Sequence, residues 1–278
     1  MAADGGAMHL SSLLMRDSLL SEGTMRKTDR SVVPLLPFVK VVKIGGRSII
    51  DWGAERLLPV LDEIVSLFGT HKVLIGAGAG VRSRHVFGVG LDLGLPTGVL
   101  AALSATDAEQ NAHMLAALLA RHGVVSLPPP LVTHLLPALI TLGNGVVVNG
   151  VPPFELWEHP PSVGRIPPNR TDAGMYLLAE VYGADRVVYV KDIDGLYTAD
   201  PKTDPSAKHI PSISVAELKE MRLRTLPFDL LVLDLLPLGH HCRMVQIVNG
   251  TKPGMLTKAL AGEPVGTVIH ASSESGAT

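Results

Sequence analysis

Two glycine-rich turns constrain this chain more than any other feature, because each closes a short run of β-branched residues and opens a helical pattern. Residues 38–44 (FVKVVKI) have the composition of a strand and end in Gly45-Gly46. Residues 72–75 (KVLI) end in Gly76-Ala77-Gly78-Ala79-Gly80. After the first turn, Leu57, Leu58, Leu61, Ile64, Val65 and Leu67 recur near three- and four-residue spacing, which predicts an amphipathic helix over 51–67. Further along, the pattern predicts a helix over 106–122 with Asp107 and Glu109 at its positive start, and a strand at 146–149. A helix over 171–182 and strands at 186–190, 246–249 and 267–269 complete the reading. Strands alternating with helices imply an α/β fold with a mostly parallel sheet covered on both faces.

A strand that runs straight into a helix leaves backbone N–H groups open at the turn and aims a helix N-terminus outward. Such turns suit a phosphate or another oxyanion. Lys43 stands at the end of the first strand, where its ammonium can reach the same anion. Neither turn carries the GK[ST] of a P-loop, and neither is a dinucleotide fingerprint. A third cluster, Arg170-Thr171-Asp172-Ala173-Gly174, precedes a helix. Thr171 or Asp172 can cap that helix, and Asp172 can also orient a lysine. The densest cluster is Lys191-Asp192-Ile193-Asp194-Gly195-Leu196-Tyr197-Thr198-Ala199-Asp200-Pro201, which follows the strand RVVYV. Its aspartates are either turn formers or ligand contacts at a strand's carboxyl end, where α/β sheets bind ligands.

VVKIGG, GAGAGVR, RTDAG, KDIDGLYTADP and GMLTKALAGEPVGTVI occur in the order found in the amino acid kinase family, and the uridylate kinase branch is the most similar enzyme group. The resemblance spans about residues 38–270. It implies a three-layer αβα sandwich over 31–278, with an acceptor-side half at about 38–165 and a nucleotide-side half at about 166–270. Position by position, Lys43 resembles the phosphate-binding lysine of the transfer centre and Asp172 the lysine-organising aspartate, with Lys258 as the late basic residue. Gly45 and Gly46 would lie against the transferred phosphate. Lys191, Asp192, Asp194, Gly195, Tyr197, Asp200 and Pro201 fall on the nucleotide side. Gly78, Ala79, Gly80, Arg82, Arg170 and Thr171 fall on the anion or acceptor side. ATP with Mg²⁺ is the implied cofactor pair.

Several segments, among them RSRHVFGVGLDLGLPTGVLA, GVPPFELWEHP and RIPPNRTDAG, are most similar to a storage branch of that family. That branch implies molybdate or tungstate held as polyoxometalate clusters, and a hexameric cage built with a homologous alpha-type subunit or from this chain alone. Two departures from uridylate kinases agree with it. Gln110 or Asn111 stands where those enzymes carry a ribose-contacting carboxylate, and GAGAG-VRSRH replaces their second glycine turn. The alternative is a kinase that transfers the ATP γ-phosphate to UMP. The alpha-type subunit of that branch carries a run of histidines after its PP motif, where this chain has FELWEHP with only His159. His134 and His159 are the candidate oxometalate ligands, His134 because it lies in an uncharged stretch where a buried imidazole needs a partner.

That stretch runs from His122 to Phe154, 33 residues without Asp, Glu, Lys or Arg. Six prolines and the Gly143-Asn144-Gly145 turn argue against a lipid-exposed helix. The expectation is a helix end, a proline-broken connection and a strand, buried at subunit contacts or lining an enclosed cavity. The net charge of −2, from 24 basic and 26 acidic residues, excludes a generic nucleic-acid binder. One cysteine excludes a disulfide framework and fits a reducing, cytoplasmic setting. Residues 1–30 read as an arm. Leucines at helical spacing in 9–20 precede the basic residues, the reverse of a signal peptide's order, and predict a short docking helix.

Overall fold

In VKVVKI there is no polar–apolar alternation because both faces of the strand are covered, and five of its six residues are buried. This strand, β1 (Val39–Ile44), lies inside an eight-stranded sheet. The computed structural model describes residues 31–151, 170–201, 203–223 and 225–271. The other strands are β2 (Lys72–Ala77), β3 (Val124–Ser126), β4 (Gly145–Val148), β5 (Arg186–Lys191), β6 (Leu196–Tyr197), β7 (His209–Ile210), β8 (Ser212–Ser214), β9 (Met244–Asn249) and β10 (Thr267–His270). The sheet order is β3-β4-β2-β1-β5-β9-β10-β8, and β6 and β7 form a separate antiparallel ribbon. Within the large sheet only β9 and β10 run antiparallel.

The helices are α1 (Ala54–Leu67), α2 (Arg82–Asp92), α3 (Thr97–Leu119), α4 (Pro129–Leu142), α5 (Thr171–Tyr182), α6 (Val215–Glu220), α7 (Val232–Leu235) and α8 (Met255–Leu260). They cover both faces of the sheet. Val39 and Val41 share one core with residues of α4, α5 and α7. Val42 and Ile44 turn to the other, shared with α1, α3 and α8. The period-two alternation of a strand therefore sorts β1 between two cores, as a three-layer sandwich requires.

The structure corrects three sequence expectations. Helix α3 begins at Thr97 rather than 106, because Pro96 stands at its N-cap and 99–105 (VLAALSA) contains no glycine or proline to interrupt it. Asp107 thus sits mid-helix and buried, not at a positive helix start. A 3-10 turn, Ile50–Trp52, precedes α1, whose start is delayed to Ala54 by Gly53 at φ 59°. The expected proline-broken connection is instead the 14-residue α4. Pro129 and Pro130 occupy its first positions, where a missing N–H costs nothing, and Pro137 forfeits only one interior hydrogen bond. Helix α4 buries Val132, Leu136 and Ile140 and turns Leu131, Leu135 and Leu142 outward. His134 is exposed on that outer face, so no burial demands a partner for it. Among the described residues no helix is long and apolar enough to cross a membrane. The predicted arm helix and His159 lie outside the described residues.

Candidate functional site: two adjoining clefts at the strand ends

The two glycine turns meet backbone to backbone. A Cβ on Gly46 would overlap the Gly80 amide, and one on Gly78 would overlap the Gly46 amide. The Gly78 N–H donates to the Ile44 carbonyl at 3.0 Å, and the Asp51 carboxylate accepts the Val81 N–H at 2.7 Å. Only glycine allows this approach. Gly46→Ala is expected to destabilise the fold by about 1–3 kcal/mol, since backbone rather than a flexible side chain must yield. A denaturant midpoint unchanged from the unsubstituted chain would contradict that.

Strand geometry delivers the charged centre. Val39, Val41 and Lys43 lie on one face of β1, and Val187, Tyr189 and Lys191 lie on the same face of the adjacent β5, with Lys43 in register with Tyr189. Helix α5 covers that face and carries Asp172 in its first turn. Lys43 Nζ lies 2.6 Å from Asp172 Oδ1, and Lys191 Nζ lies 3.0 Å from Asp172 Oδ2. All three side chains are buried. Burial alone would raise the Asp172 pKa, but the Lys191 and Lys43 ammoniums outweigh it and hold this carboxyl far below the usual carboxylate range. Burial pushes Lys191 down to about 8; Asp172 opposes that shift and Lys43 adds to it.

The lowered Lys191 pKa predicts that any anion bound beside it is held pH-dependently. Below about 8 Lys191 is an ammonium and attracts an anion; above it the charge is lost. Affinity of the nucleotide-free chain for inorganic phosphate is expected to fall as pH rises from 7 to 9, and Lys191→Arg should flatten the profile. A flat profile in the unsubstituted chain would contradict the assignment.

The cap of α5 differs from the expectation. Neither Thr171 nor Asp172 caps it. Asp229, from a distant segment, accepts the N–H groups of Asp172 and Ala173 at 3.0 and 3.3 Å. Arg170 pairs with its other oxygen at 3.0 Å. Asp172 is thus released from capping and engages the lysines. Burial, then the nearby Asp172 charge, raise the Asp229 pKa, and Arg170 opposes the shift.

Two clefts open on this centre. The first, about 570 Å³, takes in Lys43, Gly45, Gly46, Gly78, Ala79, Gly80, Arg170, Thr171, Asp172, Lys191 and Asp192 among the predicted residues. The second, about 730 Å³, takes in Asp192, Gly195, Tyr197, Asp200 and Pro201. Three residues, Arg47, Asp192 and Pro227, line both. Asp192 is held by Arg56 at 3.1 Å, and that guanidinium stacks on Trp52.

Besides His134 on the outer face of α4, three predicted residues are not brought to the clefts. Arg82 bonds to Asn111 instead, while Arg84, two residues on, lines the first cleft. Asp194 lines neither cleft: Lys252 at 2.7 Å and Asn249 at 2.9 Å hold its carboxylate, and the Lys252 hydrogen bond lowers its pKa. Lys258 is exposed, because α8 buries Leu256, Ala259 and Leu260 and turns it to solvent. Between Gln110 and Asn111, the inward residue is Asn111, which donates to the Gly78 carbonyl at 2.6 Å. Sequence reasoning missed Ser83, Arg84, Ser104 and Asp229 in the first cleft. The RSRH run was the available signal for Arg84. No local pattern marks Asp229.

Residues 39–243 match the model of the amino acid kinase family. The chain is 50 % identical over 242 residues to molybdenum storage protein subunit beta of Azotobacter vinelandii (strain DJ / ATCC BAA-1303), covering 86 % of this chain and 88 % of that one. It is 32 % identical over 239 residues to a uridylate kinase of Methanocella arvoryzae, covering 82 % and 98 %. Its fold matches the crystal structure of uridylate kinase from Archaeoglobus fulgidus with a TM-score of 0.64 at 26 % identity, covering 83 % of this chain and 99 % of that one.

Proposed function

Because this chain belongs to the amino acid kinase family and is a homologue of molybdenum storage protein subunit beta, we propose that it is a subunit of a molybdenum-storing assembly that uses ATP. The observation that carries this reading is the pair of adjoining clefts beside two lysines organised on one buried carboxylate. ATP occupies the larger cleft, along the segment from Asp192 to Pro201, and its terminal phosphate reaches the glycine turns and Lys43. The smaller cleft receives an oxyanion acceptor. Lys43, Lys191 and Arg170 lie in it, and Asp172 and Asp229 are already engaged by them. The second half (about 166–270) then holds the nucleotide, and the acceptor lies between it and the glycine turns of the first half (about 38–165).

The residues present fit Mg²⁺. Asp192 lines both clefts, is partly exposed, and has one oxygen on Arg56. A magnesium ion bound mainly by phosphate oxygens and water needs little more from the protein. Bound there, it would neutralise phosphate charge, and Lys43 and the open turn amides would hold the same phosphate in place.

The stored cargo is molybdate or tungstate, gathered as polyoxometalate clusters inside a hexameric cage in the cytoplasm. The partner is an alpha-type homologue or another copy of this chain. The outward Leu131, Leu135 and Leu142 of α4 support assembly through that helix. Metal analysis of the purified chain, with its co-purifying partners, after growth with molybdate tests the reading. Many Mo atoms per chain, in a particle of several subunits by light scattering, are expected. A metal-free monomer with UMP-dependent ADP release would replace the storage reading with that of a UMP kinase.

A further inference from the structure

Most charged side chains at the two clefts already have a partner within the protein. Lys43 and Lys191 share Asp172, Arg170 pairs with Asp229, and Asp192 pairs with Arg56. Arg47 is different. Like Arg84 in the smaller cleft and Arg222 in the larger, it is exposed and, among the described residues, its guanidinium makes no hydrogen bond or ion pair; unlike them, it reaches both clefts. It is the only cationic residue found in the lining of both clefts among the described residues.

Its place is fixed by the backbone before it. The Gly45 carbonyl accepts the N–H groups of Ile49 and Ile50 at 3.0 Å, and the Gly46 carbonyl accepts that of Asp51 at 2.9 Å. Gly46 is further wedged against Gly80. The Arg47 backbone therefore cannot drift, while its side chain stays open to the solvent of both clefts. A guanidinium offers five N–H donors in a planar fork, so two of its edges can serve two oxyanions at once. A lysine at the same place is a single point charge.

We infer that Arg47 is a bridging anion clamp, contacting the terminal phosphate of a nucleotide in the larger cleft and an oxyanion in the smaller one at the same time. This rests on the nucleotide reading of the larger cleft. Two anions brought side by side repel each other, and a shared cation between them lowers that repulsion. Arg47 then acts on both ligands, whereas Arg84, confined to the smaller cleft, acts on one.

The full-length chain and its Arg47→Ala, Arg47→Lys and Arg84→Ala variants separate these roles by calorimetry. A non-hydrolysable ATP analogue is titrated first, and inorganic phosphate or molybdate is then titrated onto the analogue-saturated chain. Arg47→Ala is expected to weaken both ligands by about tenfold each, the loss of one charge-assisted hydrogen bond per anion. Arg84→Ala is expected to weaken only the oxyanion. Arg47→Lys should recover part of either affinity, and circular dichroism should show each variant folded. Loss of only one ligand in Arg47→Ala, or of neither while the unsubstituted chain binds both, overturns the bridging role alone. Failure of the unsubstituted chain to bind the analogue overturns the nucleotide reading and this inference with it.

Discussion

Asp172→Ala is expected to destabilise the fold by about 3–5 kcal/mol, because it leaves two buried ammoniums without a counter-charge. Lys43 is 4 % exposed and Lys191 7 %, so neither can recover its hydration without opening the sheet end. Asp172→Asn separates charge from shape. It keeps the size of the side chain and, since Asp229 caps α5, costs no cap, so it should lose nearly as much. Urea unfolding of both variants checks this. A loss below about 1 kcal/mol in either would mean that one lysine is neutral or has found another partner. The pH dependence has a definite sign. The native pKa of Asp172 lies below its ordinary 3.8, so its contribution is complete above that value and is lost as pH falls through and below it.

Lys43→Ala should show the opposite separation, a large loss of activity with little loss of stability. Two lysines on one carboxylate leave an excess positive charge, and removing Lys43 leaves a balanced Lys191–Asp172 pair. The remaining lysine is also relieved of its neighbour's repulsion, so its pKa should rise from about 8. ATP turnover is expected to fall by about 10²–10³-fold, the usual cost of one preorganised donor to a developing oxyanion. Unchanged phosphate release would remove Lys43 from the site. A stability loss as large as that of Asp172→Ala would show that Lys43 packs rather than binds.

The parts of the fold that were legible in the sequence are those set by local patterns. FVKVVKI, KVLI and RVVYV are runs whose two faces are both apolar, so strand and double coverage follow from composition alone. The span of α5 was legible for the same reason. What failed depended on tertiary context. The start of α3 is masked because Asp107 looks like a first-turn acid, yet it is a buried mid-helix residue near Arg82. The prolines of α4 dominate its local signal and mask the helix, although two of them sit where a helix tolerates them. At the site, Lys43 and Asp172 were legible because each stands at an element's end. Asp229 was not, because its role is defined by a helix 57 residues earlier in the chain. Order along the chain places Lys258 near the site, and only the buried face of α8 reveals that it turns away from the clefts.

The same distant cap sets the order in which the molecule can be built. Strands β1 to β4 lie together at one side of the sheet and are complete by residue 148, so the first half of a nascent chain contains every partner it needs to pair them. The charged centre has no such independence. Asp172 needs Lys191 as well as Lys43, and the first turn of its helix stays open until Asp229 has been synthesised and docked. Synthesis runs from the N-terminal end, so earlier segments are available to fold first. The ribosome thus delivers the glycine turns early and the finished anion site late, and the amides of Asp172 and Ala173 should be among the last of the sheet end to gain protection from hydrogen exchange during refolding.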